Sequence, residues 1–341
     1  MKIVCWNLKN IGTTKLKNKL GLVVSKSGYG ANVLSYITKV VMANKIWQPV
    51  MNGVPVDVFV LIELKTGGKA KGAAVSSTAT TVMNDLAAAM NAVAAKNKKW
   101  KSTYHYSAAE ARVTGFHECV GVIYNDKLLA VPANGVDALK TVAGAYLPQR
   151  TPYKVTLQLQ ASGAHELHLV GVHAPPPKGS GATPDRFRAP IDFCRQLGNL
   201  AIVQQATGAT PETVAVMGDF NCSPLSSYGS FKKGNKKQKV TIKPFDDLKT
   251  TYAFDTAISD GTLTSMATTF DKNKAGPARY CVDAYDNVFH GALNAMVLGS
   301  DVLDLIANAT QGKPTLFPAS GTALVNSYWK VSDHLPVYIE Y

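Results

Sequence analysis

Apolar positions fall into two rhythms along this chain. Short apolar runs that stop at a polar residue predict buried strands, and apolar residues spaced three and four apart predict helices. Residues 2–7 form the first run and end at Asn7. A loop rich in Gly, Lys and Thr follows. The spacing of Val33, Ile37, Val40 and Val41 then predicts a helix over about 30–47, closed by Pro49 and the Asn52-Gly53 turn. The run 56–62 is a second buried strand, with Glu63 just past its end. Residues 66–77 read as a Gly/Ala/Ser loop and 78–96 as an Ala-rich helix capped by Ser77 or Thr78. Strands are expected at 102–106, 118–124, 128–131, 152–160 and 166–172. Ala174-Pro175-Pro176-Pro177 cannot continue a central strand. A helix is expected at about 185–206 and a buried strand at 213–217, leading into Gly218-Asp219-Phe220-Asn221. The tail reads as strands near 280–289 and 335–340 around a helix near 292–308. There is no internal repeat and no dividing linker. The pattern predicts one domain over 1–341, with two packed sheets flanked by helices.

Composition narrows the class. The 341 residues are 46% hydrophobic and 17% charged, the profile of a globular chain rather than a disordered one. No apolar run approaches the roughly 18 to 20 residues that span a bilayer. Met1–Asn7 turns polar before the apolar core of a signal peptide could develop, so the default expectation is the cytoplasm, with signal-independent export open. The five cysteines, at 5, 119, 194, 222 and 281, are odd in number and match no metal or redox spacing. Cys5, Cys119 and Cys281 read as small core residues. Charge adds more: Lys plus Arg is 36 against 23 for Asp plus Glu, a net +13 that suits a polyanion such as nucleic acid or an anionic membrane. The most biased stretch, Phe231-Lys232-Lys233-Gly234-Asn235-Lys236-Lys237-Gln238-Lys239, reads as a surface loop near 229–243.

Candidate chemistry gathers where the strands stop. Asn7, Glu63, His173, and Asp219 with Asn221 each follow an apolar strand, and Asp333 with His334 precede the last one. Strand ends are rigid platforms for a site. Carboxylates and amides are hard oxygen ligands suited to magnesium, calcium or manganese. Each residue alone also fits a turn, a cap or a surface ion pair.

Taken in order, Trp6-Asn7, Glu63, His173, Gly218-Asp219-Phe220-Asn221, Tyr285-Asp286-Asn287 and Ser332-Asp333-His334 resemble the endonuclease/exonuclease/phosphatase (DNase I-like) superfamily. The resemblance runs from Asn7 to His334. It implies an α/β (α+β), four-layered α/β/β/α sandwich with two mixed sheets and a divalent metal, Mg2+ with Mn2+ or Ca2+ as alternatives. By the same resemblance Glu63 is the principal metal ligand, with Asn7 and Asp333 nearby. Asp219 and Asn221 hold the attacking water and the phosphate. His334 acts as general base or phosphate-contacting acid, oriented by Asp286, with Asp283 a competing candidate. His173 resembles the second histidine of the DNase I branch. Arg150 and Tyr153, in Arg150-Thr151-Pro152-Tyr153, are placed on the phosphate, and Glu63-Leu64-Lys65 resembles the Glu-Thr-Lys run of another branch, which adds Lys65 to the substrate set.

Fold alone does not choose the phosphoester. The +13 charge and the lysines at 232, 233, 236, 237, 239 and 243 favour DNA, cut with little sequence specificity by a metal-dependent endonuclease. The Trp-Arg-Leu-Asp-Tyr signature of abasic-site enzymes and the Pro-Ala-Trp-Cys-Asp-Arg run of inositol 5-phosphatases are missing. The alternatives are a phosphatase or phosphodiesterase acting on a small or lipid phosphoester, and a non-catalytic nucleic-acid-binding module. The chain is expected to act as a monomer, and nothing in the sequence points to a protein partner.

Overall fold

The computed structural model describes residues 1–20, 32–38, 56–65, 77–94, 100–107, 118–145, 147, 150–161, 166–178, 184–207, 213–229, 231–233, 236–238, 241–291, 297–306 and 321–341. Two large sheets carry the fold. The first contains β1 (Lys2–Ile11), β2 (Val58–Lys65), β3 (Ser102–Tyr106), β4 (Glu118–Asn125), β16 (Gly299–Val302) and β17 (Val337–Glu340), in the order β16-β17-β1-β2-β4-β3. The second contains β5 (Leu129–Ala130), β6 (Val136–Ala138), β7 (Tyr153–Leu159), β8 (Glu166–His173), β9 (Thr213–Asp219), β12 (Asp255–Thr256) and β15 (Asp286–Gly291). Its order is β12-β15-β9-β8-β7-β5, with β6 also on β7. Both sheets are mixed: β1 and β2 are parallel, as are β8 and β9, and the remaining pairs are antiparallel. Two small hairpins complete the set, β10 (Phe231–Lys233) with β11 (Lys236–Gln238) and β13 (Ser265–Met266) with β14 (Cys281–Asp283).

Side chains alternate across each strand, and this sorts the apolar residues into three buried clusters. Ile3 and Cys5 of β1, Val58, Val60 and Ile62 of β2, Leu167 and Leu169 of β8, and Ala215 and Met217 of β9 fill the space between the sheets. Val4, Trp6, Phe59 and Leu61 point the other way and pack with residues of the helices Ser77–Val93 and Gly321–Trp329. Val170, Val172, Val214 and Val216 do the same on the second sheet, against the helices Arg188–Gln196 and Asp246–Tyr252. The result is a four-layered α/β/β/α sandwich. The sheets approach closely at Gly171, where a Cβ would lie 2.5 Å from Val120 Cγ1. No described helix is long and apolar enough to cross a membrane.

Several expectations change. The helix expected near 292–308 is not formed at its centre: Gly299–Val302 is strand β16, bonded to the free edge of β17. Leu298 is 77% exposed, while Val297 and Val302 pack on the intersheet core. The C-terminal helix is instead Gly321–Trp329. The helix expected at 185–206 breaks at Leu200, whose extended backbone bridges to Thr141. The strand expected at 280–289 divides, β14 pairing with β13 and β15 with β9. The Lys-rich stretch is a two-stranded hairpin with Lys232 opposite Lys237 and Lys233 opposite Lys236. Of the helix expected at 30–47, the α-helical turn Val33–Tyr36 is present, capped by the Asn32 side chain, and residues beyond 38 lie outside the described set.

Candidate active site

The intersheet stripes turn polar at one end of the sandwich. Asn7 continues the Ile3-Cys5 stripe of β1, His173 continues the Leu167-Leu169-Gly171 stripe of β8, and Asp219 continues the Ala215-Met217 stripe of β9. Asp286 sits opposite Asp219 on antiparallel β15. Glu63 reaches the same place by a different device. Between Leu61 and Leu64 the ladder to β4 shifts register, and Glu63 takes φ 63°, a left-handed conformation uncommon for a residue with a Cβ. Lys9 (φ 43°), Asn10 (φ 56°) and Asn221 (φ 51°) share that conformation around the site. Strain of this kind, of order 1–3 kcal/mol per residue, persists only where the surroundings over-determine it.

Asn7 ties the carboxylates together. Its Nδ2 donates to Glu63 Oε1 at 3.0 Å and to Asp219 Oδ2 at 2.9 Å, while its oxygen accepts from the Lys9 N–H at 2.8 Å. The amide therefore turns its nitrogen, not its oxygen, toward the carboxylates. Asp219 is 1% exposed, and its other oxygen accepts from the Asn221 N–H at 2.8 Å. Asn221 Nδ2 donates to the Ala174 carbonyl at 2.8 Å. Gly218 precedes this turn with φ 151°, and a Cβ there would lie 1.9 Å from the Val172 carbonyl oxygen.

Two His–carboxylate pairs flank Asp219. His334 Nδ1 lies 2.7 Å from Asp286 Oδ2, and its Nε2 lies 3.6 Å from Asp219 Oδ2. It is Asp286 rather than Asp283 that meets the imidazole. The Trp6 indole and the Tyr328 hydroxyl both donate to the His334 carbonyl, at 2.9 and 3.0 Å. Ser332 accepts the His334 N–H and donates to the Asn7 carbonyl, which ties the last loop to β1. On the other side His173 Nδ1 is 3.0 Å from Glu118 Oε2, and its Nε2 is 3.5 Å from Glu63 and 3.6 Å from Asp219. Arg150 completes this arm, with Nη2 3.2 Å from the same Glu118 oxygen. Glu118 was not anticipated. Its only sequence signal is a carboxylate opening a buried strand.

The electrostatics follow from burial and these pairs. Burial pulls the His334 imidazole down, but the Asp286 and Asp219 carboxylates outweigh it and push it up to about 10. His334 is then an imidazolium at neutral pH, with both nitrogens as donors. Burial raises the Asp219 carboxyl above its ordinary value, against the pull of His334. Burial works to raise Glu118 as well, but His173, Arg150 and Lys65 hold it below the usual carboxylate range.

The remaining expected residues divide. Asp333 receives the Lys9 ammonium at 2.7 Å and stands 3.7 Å from His334 Nε2. Lys65 pairs in register with Glu118. Tyr153 is not brought into the cluster: it opens β7 and is buried in the intersheet core. As for a cation, Glu63, His173 and Asp219 offer ligand atoms within 4.8 Å of one another, as do Asp219, Asp286 and His334. Asp333 Oδ1 is a buried acceptor with no hydrogen-bond partner among the described residues, the kind of oxygen a cation would satisfy. The donor set, mostly carboxylate, fits a hard divalent ion.

A four-layered sandwich with paired His–carboxylate arms around a buried aspartate at one end defines an architectural class. No family model matches the sequence, and no curated protein matches it. Solved structures do match. An endonuclease/exonuclease/phosphatase family protein from Leptotrichia buccalis is 13% identical, with a TM-score of 0.51 over 100% of this chain and 98% of that one. One from Bacteroides thetaiotaomicron is 12% identical, with a TM-score of 0.50 over 99% of this chain and 96% of that one. An endonuclease/exonuclease/phosphatase from Beutenbergia cavernae is 14% identical, with a TM-score of 0.51 over 99% of this chain and 70% of that one. The chain has the DNase I-like fold of the endonuclease/exonuclease/phosphatase proteins.

Proposed function

We propose that this protein is a divalent-metal-dependent phosphodiesterase, and that its substrate is DNA, cut as an endonuclease with little sequence specificity. The observation that carries the reading is the meeting of Glu63, Asp219 and the His334–Asp286 pair, distant in sequence, around one point. Glu63 and Asp333, with help from Asp219, would hold the metal, which supplies charge neutralisation at the phosphate and the leaving oxygen. The chain's own residues divide the rest of the work. Asp219, held by Asn7 and the Asn221 N–H, takes a proton from the attacking water. As water bonds to phosphorus the P–O bond to the leaving group breaks, and the leaving oxygen needs a proton. His334, kept as an imidazolium by Asp286, donates through Nε2 to a phosphoryl or leaving oxygen. His173, fixed by Glu118 through Nδ1, presents Nε2 to the same space.

Support for a polynucleotide comes from charge and placement. The net charge is +13. The Lys-rich hairpin rises from the chain just after Asn221, and a Tyr228–Ile242 bridge closes its base. Tyr228 packs on Phe187 at 5.3 Å, and Phe187 meets Tyr285 at 6.4 Å, next to Asp286. The register of β10 and β11 sets Lys232 opposite Lys237 and Lys233 opposite Lys236, which gathers four lysines on one short hairpin, a local density of positive charge that suits a polyanion.

The test is nicking of supercoiled plasmid at low salt with Mg2+ or Mn2+, with and without chelator, beside RNA, bis-p-nitrophenyl phosphate and phosphomonoesters. Metal-dependent nicking is expected. Turnover of only the small esters moves the assignment to the small-phosphoester alternative. DNA binding that is indifferent to chelator, with no turnover of any ester, replaces it with a binding module.

A further inference from the structure

The end of β1 carries a bulge that the catalytic chemistry does not itself explain. Asn7 pairs with Ile62 and Ile11 with Leu64, so Leu8, Lys9 and Asn10 crowd opposite Glu63 alone. Lys9 and Asn10 are consecutive residues with positive φ, neither of them glycine. Left-handed backbone at a residue with a Cβ is disfavoured, and two in succession more so. The bulge nonetheless makes three contacts with the site. The Lys9 N–H fixes the Asn7 amide at 2.8 Å, and the Asn10 N–H fixes Glu63 Oε2 at 2.9 Å. The Lys9 ammonium lies 2.7 Å from Asp333 and 3.6 Å above the Trp329 ring.

One side chain holds the bulge from behind. Lys15, from the short helix Thr13–Lys17 anchored by buried Leu16, donates Nζ to the Leu8 and Lys9 carbonyls, each at 2.7 Å. Neither Leu8 nor Lys9 has a register partner on β2. We infer that Lys15 is a positioning residue of the site: it staples the strained bulge whose N–H groups and ammonium orient Asn7, Glu63 and Asp333. The inference rests on the metal-dependent reading proposed above. Burial is costly for an ammonium and pulls Lys15 down to about 8, against the attraction of Asp333 and Glu63. A lysine serving only as a solvated helix residue, as Lys17 does, has no reason to accept that cost.

The test uses the full chain with Lys15→Met, Lys17→Met as the control from the same helix, and wild type. Three readouts are taken: hydrogen exchange over residues 7–12 in chelator, Mn2+ affinity by calorimetry, and kcat and KM on the phosphoester that wild type turns over. Lys15→Met is expected to exchange faster over 7–12 and to lose about 10- to 100-fold in Mn2+ affinity or kcat, as outer-shell partners of metal ligands do. KM is expected to change little, and Lys17→Met to match wild type throughout. If Lys15→Met alone unfolds, Lys15→Met/Asn10→Gly decides by the same three readouts, because glycine accepts the positive φ at position 10. A folded Lys15 variant with wild-type exchange, Mn2+ affinity and kcat overturns the inference. A wild type that binds no Mn2+ and hydrolyses no ester overturns the functional reading instead, and the exchange readout then still reports on the staple.

Discussion

Replacing Asp286 by Asn removes one charge and almost no volume from the His334 pair. The metal-free protein, kept in chelator, gives a direct measure of what that charge does. The folded imidazole is held up at about 10 by Asp286 and Asp219, against 6.5 for the free side chain. Between those values the folded state binds a proton that the unfolded state has lost. The stabilisation is therefore complete below pH 6.5 and is lost as pH rises toward 10. One such proton corresponds to about 1.4 kcal/mol of stability per pH unit, so wild type is expected to lose ~2 kcal/mol from pH 6.5 to 8. Within that window burial keeps the Cys5, Cys119, Cys194 and Cys281 thiols protonated in the folded state, while Lys15, pulled down to about 8, is half-deprotonated at the upper end and offsets ~0.4 kcal/mol of the loss. Asp219 shares the proton with His334, and the slope belongs to that cluster. In Asp286→Asn the nearest remaining anion is Asp219, at 3.6 Å. Breaking a buried pair costs about 3–5 kcal/mol, so the variant starts lower at pH 6.5 and its curve converges on wild type as pH rises. Urea unfolding at half-unit pH steps measures this. Parallel stability curves from pH 6.5 to 8 would show that Asp286 does not hold the proton on His334, and the proposed acid role of His334 would fall with it.

Other consequences are as concrete. Gly218→Ala places a Cβ 1.9 Å from the Val172 carbonyl oxygen between two central strands, and is expected to cost more than about 3 kcal/mol by urea or thermal unfolding. A near-neutral result would mean that β8 and β9 can part there. Glu118→Gln releases His173 and Arg150 from a shared anion, and is expected to leave the fold intact while lowering kcat by about 10²-fold; unchanged kcat at full metal removes His173 from the mechanism. Lys232→Gln/Lys237→Gln, an opposing pair on the hairpin, is expected to lower the salt slope of DNA binding by up to ~2 without affecting small-ester turnover. An unchanged slope moves DNA off the hairpin.

How much of this was legible depends on whether a residue follows strand parity. Asn7, His173 and Asp219 each extend an apolar alternation by one polar step, so the sequence exposes them. Glu63 was visible only as the residue after an apolar run. The bulge that turns it into the site depends on tertiary pairing with β4 and leaves no local signature. Glu118 and Lys15 were invisible for a related reason. A glutamate opening a strand and a lysine within Thr14-Lys15-Leu16-Lys17-Asn18-Lys19 look like solvated residues until the fold buries them. Strand β16 was misread because its weak apolar spacing suits a helix as well as a strand, and only the open edge of β17 decides. Tyr153 shows the opposite failure. The family resemblance implied phosphate contact, but its position on β7 buries it in the intersheet core.

The charges around Asp219 also set an order of events on the proposed reading. Four carboxylates, Glu63, Asp219, Asp286 and Asp333, face three cations, Lys9, Lys15 and His334. Glu118 lies one imidazole further out, behind His173, covered by Arg150 with Lys65 beside it. Counted without the His173 imidazole, the inner ring carries a surplus of one negative charge, which attracts a divalent cation and repels a phosphodiester. Once the cation is in place the surplus is one positive charge, and the preference for the anion reverses. Even at ~5 Å with the full screening of water, that two-unit change is worth about 1.7 kcal/mol, more than tenfold in affinity. Dimethyl phosphate, a small diester that resists hydrolysis, isolates the effect from the Lys-rich hairpin. Its phosphorus resonance is expected to broaden with the protein in Mg2+ and to stay sharp in chelator. Equal broadening in both conditions would mean that the anion is held by lysines outside the ring, and that Glu63, Asp219 and Asp333 do not gate its entry.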